Sequence, residues 1–193
     1  MRGLKTARCS LVFWNRALAH TPFHTMEDLL EQFTASLSQL EVGWTQTSVE
    51  RFGESLSECI EGSAVGAPLP FEKLSLEANG VTTEPTPAEI KSAQTGVTGA
   101  HMGVADYGSL VIRGGPDATE AVSLFPGLHV AVLRVSDIVP DVHSALKKLG
   151  PAFRDDQMSV ILATGPSATA DMGALVRGAH GPRHVHVLIV DTS

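Results

Sequence analysis

Residues 129–135 read HVAVLRV and residues 184–190 read HVHVLIV, and these two apolar stretches decide the fold class. Each is the length of a β-strand and is rich in Val, Leu and Ile, which favour strands. Nearly continuous apolar runs are typical of strands that are covered on both faces of a mostly parallel sheet. Four further runs also predict strands: GVTGA (96–100), SLVI (109–112), AVSLF (121–125) and MSVILATG (158–165).

Helical segments precede these runs and separate the last of them. The sequence TMED (25–28) has the form of a capping box and opens an amphipathic helix that we expect to end near Gly43. Further helices are predicted over residues 49–60, from the capping sequence TPAE (86–89), and over residues 140–149. Apolar strands with helices before and between them predict an α/β protein, with the sheet covered on both faces.

Length and charge limit the classes of protein. The 193 residues fit one domain, which we place at residues 26–193, preceded by an arm at residues 1–25. The net charge of −7 and the aromatic content of 5% argue against a nucleic-acid surface. The apolar runs are too short to cross a bilayer. The apolar stretch at residues 9–14 is too short for a signal peptide, so we expect a cytoplasmic protein.

Two glycine-containing segments follow predicted strands, where ligands bind in open α/β sheets. The first, residues 98–109, offers close backbone approach at Gly99 and Gly108, a carboxylate at Asp106 and a hydroxyl at Ser109. The alternative is a tight turn that the aspartate caps and that binds no ligand. We expect these four residues to contribute to a site, with Asp106 as the catalytic candidate.

The second segment is residues 165–171, GPSATAD. A strand that leads into a Gly-Pro-Ser turn and a helix start directs backbone N–H groups at one point, which suits a phosphate or carboxylate. The ligand-binding candidates are Gly165, Ser167, Thr169 and Asp171. The alternative is that Ser167 or Thr169 only caps a short helix.

Residues 178–187, GAHGPRHVHV, are rich in histidine. A metal site would use His184 and His186 on one strand face together with His180, but no zinc-site spacing accompanies them. An anion clamp would use Arg183 with His180. Histidines bonded to the backbone at a strand entry are the third interpretation. We expect no metal and retain His180 and Arg183 as ligand-binding candidates.

Three longer stretches carry a family resemblance. They are TGAHMGVADYGSLVI (98–112), SLFPGLHVAVLRVSDIVPDVHSAL (123–146) and GPSATADMGALVRGAHGPRHVHVLIVD (165–191). In this order and spacing they closely resemble the LUD-domain family, in particular its lactate-utilisation protein C type. The likeness extends from about Met26 to Asp191.

The resemblance implies a three-layer α/β/α sandwich like the NagB/RpiA/CoA-transferase-like fold. It also implies a part in an iron–sulfur-dependent system that oxidises L-lactate to pyruvate. Cys9 and Cys59 stand alone, without a cluster-binding motif. We therefore expect a cluster-free subunit that has no cofactor of its own, binds a small anionic ligand and assembles with iron–sulfur partner subunits. A homo-oligomer is also compatible with this interpretation.

The sequence departs from the family pattern at Asp106, where the family usually has glutamate. The related CoA transferases use a glutamate at a comparable glycine-flanked turn as nucleophile. This relation gives the alternative hypothesis, a stand-alone enzyme of the CoA-transferase or sugar-phosphate isomerase type that uses Asp106. The family pattern includes a histidine at His186 and often an acidic residue at the position of His184.

Overall fold

A five-stranded, entirely parallel sheet forms the centre of the protein. The computed structural model describes residues 25–114, 117–155, 159–170, 173 and 175–192. The strands of the central sheet lie in the order β1 (Gly43–Ser48), β11 (His184–Asp191), β6 (Leu128–Arg134), β3 (Thr95–Gly99) and β2 (Ala64–Gly66). All five carboxyl ends therefore meet at one edge of the sheet, called here the carboxyl edge, and all five amino ends at the opposite, amino edge.

A second, mixed sheet lies beside the central one. Its strands are β7 (Ile138–Val139), β4 (Met102–Val104), β5 (Ser109–Gly114) and β8 (Ser159–Ala163), in that order. The β7–β4 pair is parallel and the other two pairs are antiparallel. A short antiparallel pair, β9 (Ala168–Thr169) with β10 (Val176–Arg177), follows β8 in the chain.

The helices in the described residues pack on these sheets. They are α1 (Met26–Gln39), α2 (Phe52–Cys59), α3 (Pro87–Ser92), α4 (Thr119–Leu124) and α5 (Val142–Asp155). Single 3₁₀ turns lie at Glu77–Asn79 and Val135–Asp137. No helix in these ranges is both long enough and apolar enough to cross a membrane.

Each face of the central sheet is buried under its own layer. On one face, residues of β6 and β11 pack against α1 and the inner face of the second sheet, with Phe33 and Leu133 fully buried. On the other face, α2 and the segment around residues 71–81 cover the sheet, and Leu56 and Leu188 are fully buried. The outer face of the second sheet is covered by α5 through Leu149.

The α/β prediction with a mostly parallel central sheet is confirmed. The capping box of α1 is also confirmed, since the Asp28 amide donates to Thr25 Oγ1 over 3.1 Å and the Thr25 amide donates to Asp28 Oδ2 over 2.9 Å. The reciprocal box between Thr86 and Glu89 begins α3 at the predicted position. The expectation for an arm at residues 1–25 falls, apart from Thr25, outside the described residues.

Two local predictions were wrong, and one strand was not predicted. AVSLF (121–125) lies mostly in α4 and not in a strand, because Val122 belongs to a small cluster in which a helix packs on β2 and α3. The polar segment Gly43–Ser48, for which no element was predicted, is the edge strand β1. Within residues 165–170 the chain forms a turn and then β9, where a helix start was expected, because β9 pairs with β10.

Candidate functional site

The carboxyl edge of the central sheet carries a cationic cleft. It consists of two neighbouring hollows of about 450 and 200 Å³, which share Pro70 and His101 in their walls and are together called the arginine cleft. β3 ends at this place with Gly99 and β6 ends with Arg134. The other described residues in its walls are Pro68, Leu69, Phe71, Met102, Arg113, Gly114, Asp117, Thr119, Asp137 and Lys148.

Arg134 is held in a fixed orientation in this cleft. Its Nε donates to Asp137 Oδ2 over 2.6 Å and its Nη2 donates to Asp137 Oδ1 over 3.1 Å, a bidentate pair. The guanidinium carbon also lies 4.9 Å from the centre of the Phe71 ring, within the range of a cation–π contact. The 3₁₀ turn at Val135–Asp137 directly after β6 brings the aspartate back to the arginine.

His101 is the titratable group near physiological pH in the arginine cleft. Burial lowers the pKa of its imidazole, the Asp137 carboxylate raises it in part, and the cations of Arg113 and Arg134 add to the lowering. Among the described wall residues, Arg113, Arg134 and Lys148 carry three positive charges against two negative charges on Asp117 and Asp137. The described wall residues thus carry one more positive than negative charge, on a chain whose net charge is −7.

A second cleft lies at the amino edge, between the central sheet and the second sheet. It has a volume of about 290 Å³ and is called here the histidine cleft. Its wall includes His129 near the start of β6, Val185 near the start of β11, and the turn at Gly165. The other described wall residues are Ile112, Ser123, Leu124, Ile161, Ala163, Thr164, Pro166, Ser167, Ala168, His180, Gly181 and Pro182.

Backbone bonds fix the turn that forms the mouth of the histidine cleft. Gly165 adopts a left-handed backbone conformation with φ of 74°, which glycine adopts without strain. The Ser167 amide donates to the Pro182 carbonyl over 2.9 Å, and the Gly178 amide donates to the Ser167 carbonyl over 2.9 Å. The His180 amide donates to Ser167 Oγ over 3.3 Å. These bonds bring Ser167 and His180 together, although they are thirteen positions apart in the chain.

His129 lies at the floor of the histidine cleft. Its side chain is 2% exposed, and its Nε2 lies 2.8 Å from the Thr98 hydroxyl. Burial in this apolar surrounding lowers the pKa of the imidazole to about 4. His129 is therefore a neutral group at physiological pH.

A family model described as the LUD domain matches residues 28–190. The chain belongs to the LUD domain family. This match confirms the resemblance seen in the sequence.

Curated relatives and one solved structure are similar to this LUD domain. "Lactate utilization protein C" of Macrococcus caseolyticus is 26% identical over 184 residues, covering 86% of this chain and 80% of that protein. The protein of the same name from Deinococcus radiodurans is 25% identical over 170 residues, covering 84% and 80%. The crystal structure of a DUF162 family protein from Deinococcus radiodurans has the same fold, with a TM-score of 0.67 at 20% identity, over 86% of this chain and 99% of that one.

The LUD domain places the candidates from the first glycine segment in different surroundings. Gly99 lines the arginine cleft. Gly108, in a left-handed conformation with φ of 61°, packs against the end of α1. Ser109 lies behind the histidine cleft and exchanges a hydrogen bond of 2.7 Å with Thr164.

Asp106 is exposed and accepts a hydrogen bond of 2.6 Å from Gln32 Nε2 of α1. It is not among the described residues that line either cleft. The Gly99 and Asp106 candidates thus do not meet Ser167 and His180 in one site. A catalytic role for Asp106 stays a prediction.

The candidate residues from the last part of the chain also lie in different places. Gly165, Ser167 and His180 meet at the histidine cleft, while Thr169 lies next to it in β9. Arg183 is exposed and packs along Gly178, and it is not among the described wall residues of the histidine cleft. Asp171 lies outside the described residues.

The three histidines of the GAHGPRHVHV stretch do not meet in one site, because His184 and His186 line a common hollow whereas His180 lines the histidine cleft. His186 Nε2 lies 3.0 Å from the Thr45 hydroxyl, and burial lowers the pKa of its imidazole, whereas His184 and His180 are exposed. Over the part of the chain that the structure describes, no three His, Cys, Asp or Glu side chains group as metal ligands. The one described cysteine, Cys59, is half-buried, and burial raises the pKa of its thiol.

Sequence reasoning missed the residues that give each cleft its character. His101 and His129 stood out only as scattered histidines, and Arg113, Arg134 and Lys148 were not singled out. A signal for Arg134 does exist in the sequence, because it is the cation that ends the apolar run of β6, and ligands bind beyond the carboxyl ends of parallel strands. Arg113 and Lys148 reach the same cleft from β5 and α5 only through the tertiary fold.

Proposed function

We propose that this LUD domain chain acts in a lactate utilisation system as a cluster-free subunit that binds a small carboxylate anion in the arginine cleft. The observation that carries the ligand part is that Arg113 lines one hollow of this cleft and Arg134 and Lys148 line the adjoining one, at the carboxyl edge of the parallel sheet. The family and the names of the relatives support the lactate part.

The geometry of the arginine cleft suits a carboxylate. Arg134 is pre-oriented by Asp137 and Phe71, so less side-chain entropy is lost when an anion binds beside it. Apolar walls such as Leu69 and Met102 accommodate the hydrocarbon part of a small acid. His101 adds a group that gains a proton when an anion approaches, because a nearby negative charge raises an imidazole pKa. Anion binding should therefore strengthen as the pH falls through the lowered pKa of this imidazole.

We infer that the redox chemistry of such a system belongs to iron–sulfur partner subunits. Only Cys59 among the described residues is a cysteine, and a thiol whose pKa is raised by burial is a poor thiolate ligand. The chain would then supply a binding surface for substrate or product, and its partners would transfer the electrons.

Isothermal titration of the purified chain with L-lactate and with pyruvate tests the ligand part. Arg113→Gln should weaken binding at least tenfold, since it removes a charge-assisted hydrogen bond. The matched control Arg51→Gln removes an exposed arginine that pairs with Glu54 on α2, and it should bind as the unaltered chain does. Equal affinity in both variants would contradict an anion site in this cleft.

Affinity purification of the chain at its natural expression level tests the partner part. We expect an iron–sulfur protein to co-purify, with the absorbance of clusters in the visible range. A strain without this chain should grow poorly on L-lactate as sole carbon source and normally on glucose. Normal growth on lactate would refute the role in lactate utilisation without affecting the binding result.

A further inference from the structure

Within the part of the chain that the structure describes, one ring nitrogen of the buried His129 has no hydrogen-bond partner. Nε2 meets the Thr98 hydroxyl, and Nδ1 has no hydrogen-bond partner among the described residues. Every fully buried side-chain nitrogen or oxygen in the described residues does have a partner. His129 Nδ1 is therefore not sealed in the core, and the space beside His129 is the histidine cleft.

The hydrogen bond to Thr98 determines which nitrogen carries the proton. Thr98 is completely buried, and within the described residues its hydroxyl has His129 Nε2 as its one partner. A buried hydroxyl proton is costly to leave unpaired, so the hydroxyl donates to Nε2. The neutral ring then carries its proton on Nδ1, which makes His129 a hydrogen-bond donor toward the cleft.

The rest of the histidine cleft offers hydrogen-bond donors and apolar contact, and besides His129 its described wall holds one titratable side chain, the exposed His180. Ser167 Oγ accepts from the His180 amide and keeps its own hydroxyl proton to donate. Ile112, Ile161 and Val185 supply apolar wall. The described wall contains no Lys, Arg, Asp or Glu. Because an ion loses solvation free energy when it enters such a place without a counter-charge, the cleft favours an uncharged molecule.

We propose that the histidine cleft binds a small uncharged carbonyl compound, whose oxygen accepts a hydrogen bond from His129 Nδ1. The volume of about 290 Å³ equals the room of about ten water molecules, which limits the ligand to a small one. This site is independent of the arginine cleft and of the proposed lactate function. The lowered pKa of His129 fits the proposal, because the ring stays neutral in ordinary buffers.

Nuclear magnetic resonance of the full chain with ¹⁵N-labelled histidine tests the proposal directly. We expect His129 to show a protonated Nδ1 and an unprotonated Nε2 at pH 7. Cyclopentanone, added as the probe, should shift the Nδ1 resonance in a saturable manner. Cyclopentanecarboxylate, of similar shape but charged, should shift it at least tenfold less at equal concentration.

Two variants on β8 separate binding in the cleft from a general effect. Ala163→Leu fills the cleft while leaving His129 and Thr98 in place, and it should abolish the cyclopentanone shift. Leu162→Gln, on the neighbouring position whose side chain points to the opposite face and is 42% exposed, should leave the shift unchanged. Backbone amide spectra of both variants establish that each is folded.

Each remaining outcome would overturn a defined part of the proposal. An unprotonated Nδ1 would show that His129 is not a donor toward the cleft. An Nδ1 resonance that does not shift with cyclopentanone up to its solubility would show that the cleft does not bind it. An equal response to the carboxylate removes the preference for an uncharged ligand. A shift that persists in Ala163→Leu places the binding elsewhere.

Discussion

Mild acid should destabilise this protein through His129. In the folded chain burial holds the pKa of the imidazole at about 4, against the ordinary value of 6.5 that the unfolded chain recovers. Between these two values the unfolded state binds a proton and the folded state does not. Stability therefore falls as the pH decreases from 6.5 toward 4, and above 6.5 the group has no effect.

The size of the effect follows from the two pKa values. The full difference of 2.5 units corresponds to about 3 kcal/mol, reached below pH 4. At pH 5 the unfolded imidazole is almost fully protonated and the folded one largely neutral, so linkage gives a loss of about 2 kcal/mol relative to pH 7.5. This loss is a large part of the 5–15 kcal/mol that is typical of domain stability.

Urea unfolding at pH 7.5 and pH 5 measures this loss, and a variant isolates the contribution of His129. Burial also lowers the pKa values of His101 and His186, so these groups act in the same direction. His129→Leu removes the titrating group. It also breaks the hydrogen bond to Thr98, but this loss of stability is the same at both pH values and cancels in the difference between them. The unaltered chain should lose about 2 kcal/mol more than His129→Leu between the two pH values.

The control for this measurement is His184→Gln, which replaces an exposed histidine on β11 and should lose as much stability as the unaltered chain. Equal losses in the unaltered chain and in His129→Leu would refute the reasoning, because they would mean that the folded and unfolded states protonate His129 alike. The slope of the unfolding free energy against urea concentration comes from the same data, and a change in it would indicate an altered denatured state.

Two further substitutions, each with a control, test the packing of β3 against α4 and the N-cap of α3. Gly96→Ala would place a Cβ 2.0 Å from the Val122 carbonyl oxygen of α4, so we expect a loss of about 1–3 kcal/mol in urea unfolding. Gly127→Ala, whose Cβ would meet nothing nearer than 3.9 Å, should change stability by less than about 0.5 kcal/mol. Thr86→Ala removes the N-cap of α3 and should cost about 1 kcal/mol by the same assay, whereas Thr86→Ser should retain most of it.

The parts of the fold that the sequence predicts correctly are those that local chemistry controls. The caps at Thr25 and Thr86 need only residues three positions apart, and the strands β6 and β11 are long apolar runs. The errors arise where partners distant in sequence decide. Gly43–Ser48 has a polar composition and becomes a strand because β11 pairs with it, and residues 121–125 are too short an apolar run to distinguish helix from strand.

The candidate sites show the same limit. The turn expected at residues 165–167 lines a cleft, while its role in ligand binding stays a prediction. The sequence could not indicate that His129, 38 positions away from Ser167, forms its floor, or that Asp106 faces Gln32 on α1. Loop composition therefore predicts the turn that lines this cleft. It does not predict the strand residue His129 beside the turn, because only the fold brings the two together.

The geometry of β6 keeps the two clefts separate. His129 and Arg134 lie near opposite ends of this strand, and at about 3.3 Å per residue their Cα atoms are about 17 Å apart. Because five positions separate them, their side chains point to opposite faces of the sheet, toward the second sheet and toward Phe71 respectively. A small ligand cannot reach both. Substitutions at Arg113 should therefore leave the cyclopentanone response of His129 intact, and Ala163→Leu should leave lactate binding intact, so each proposal can fail without the other.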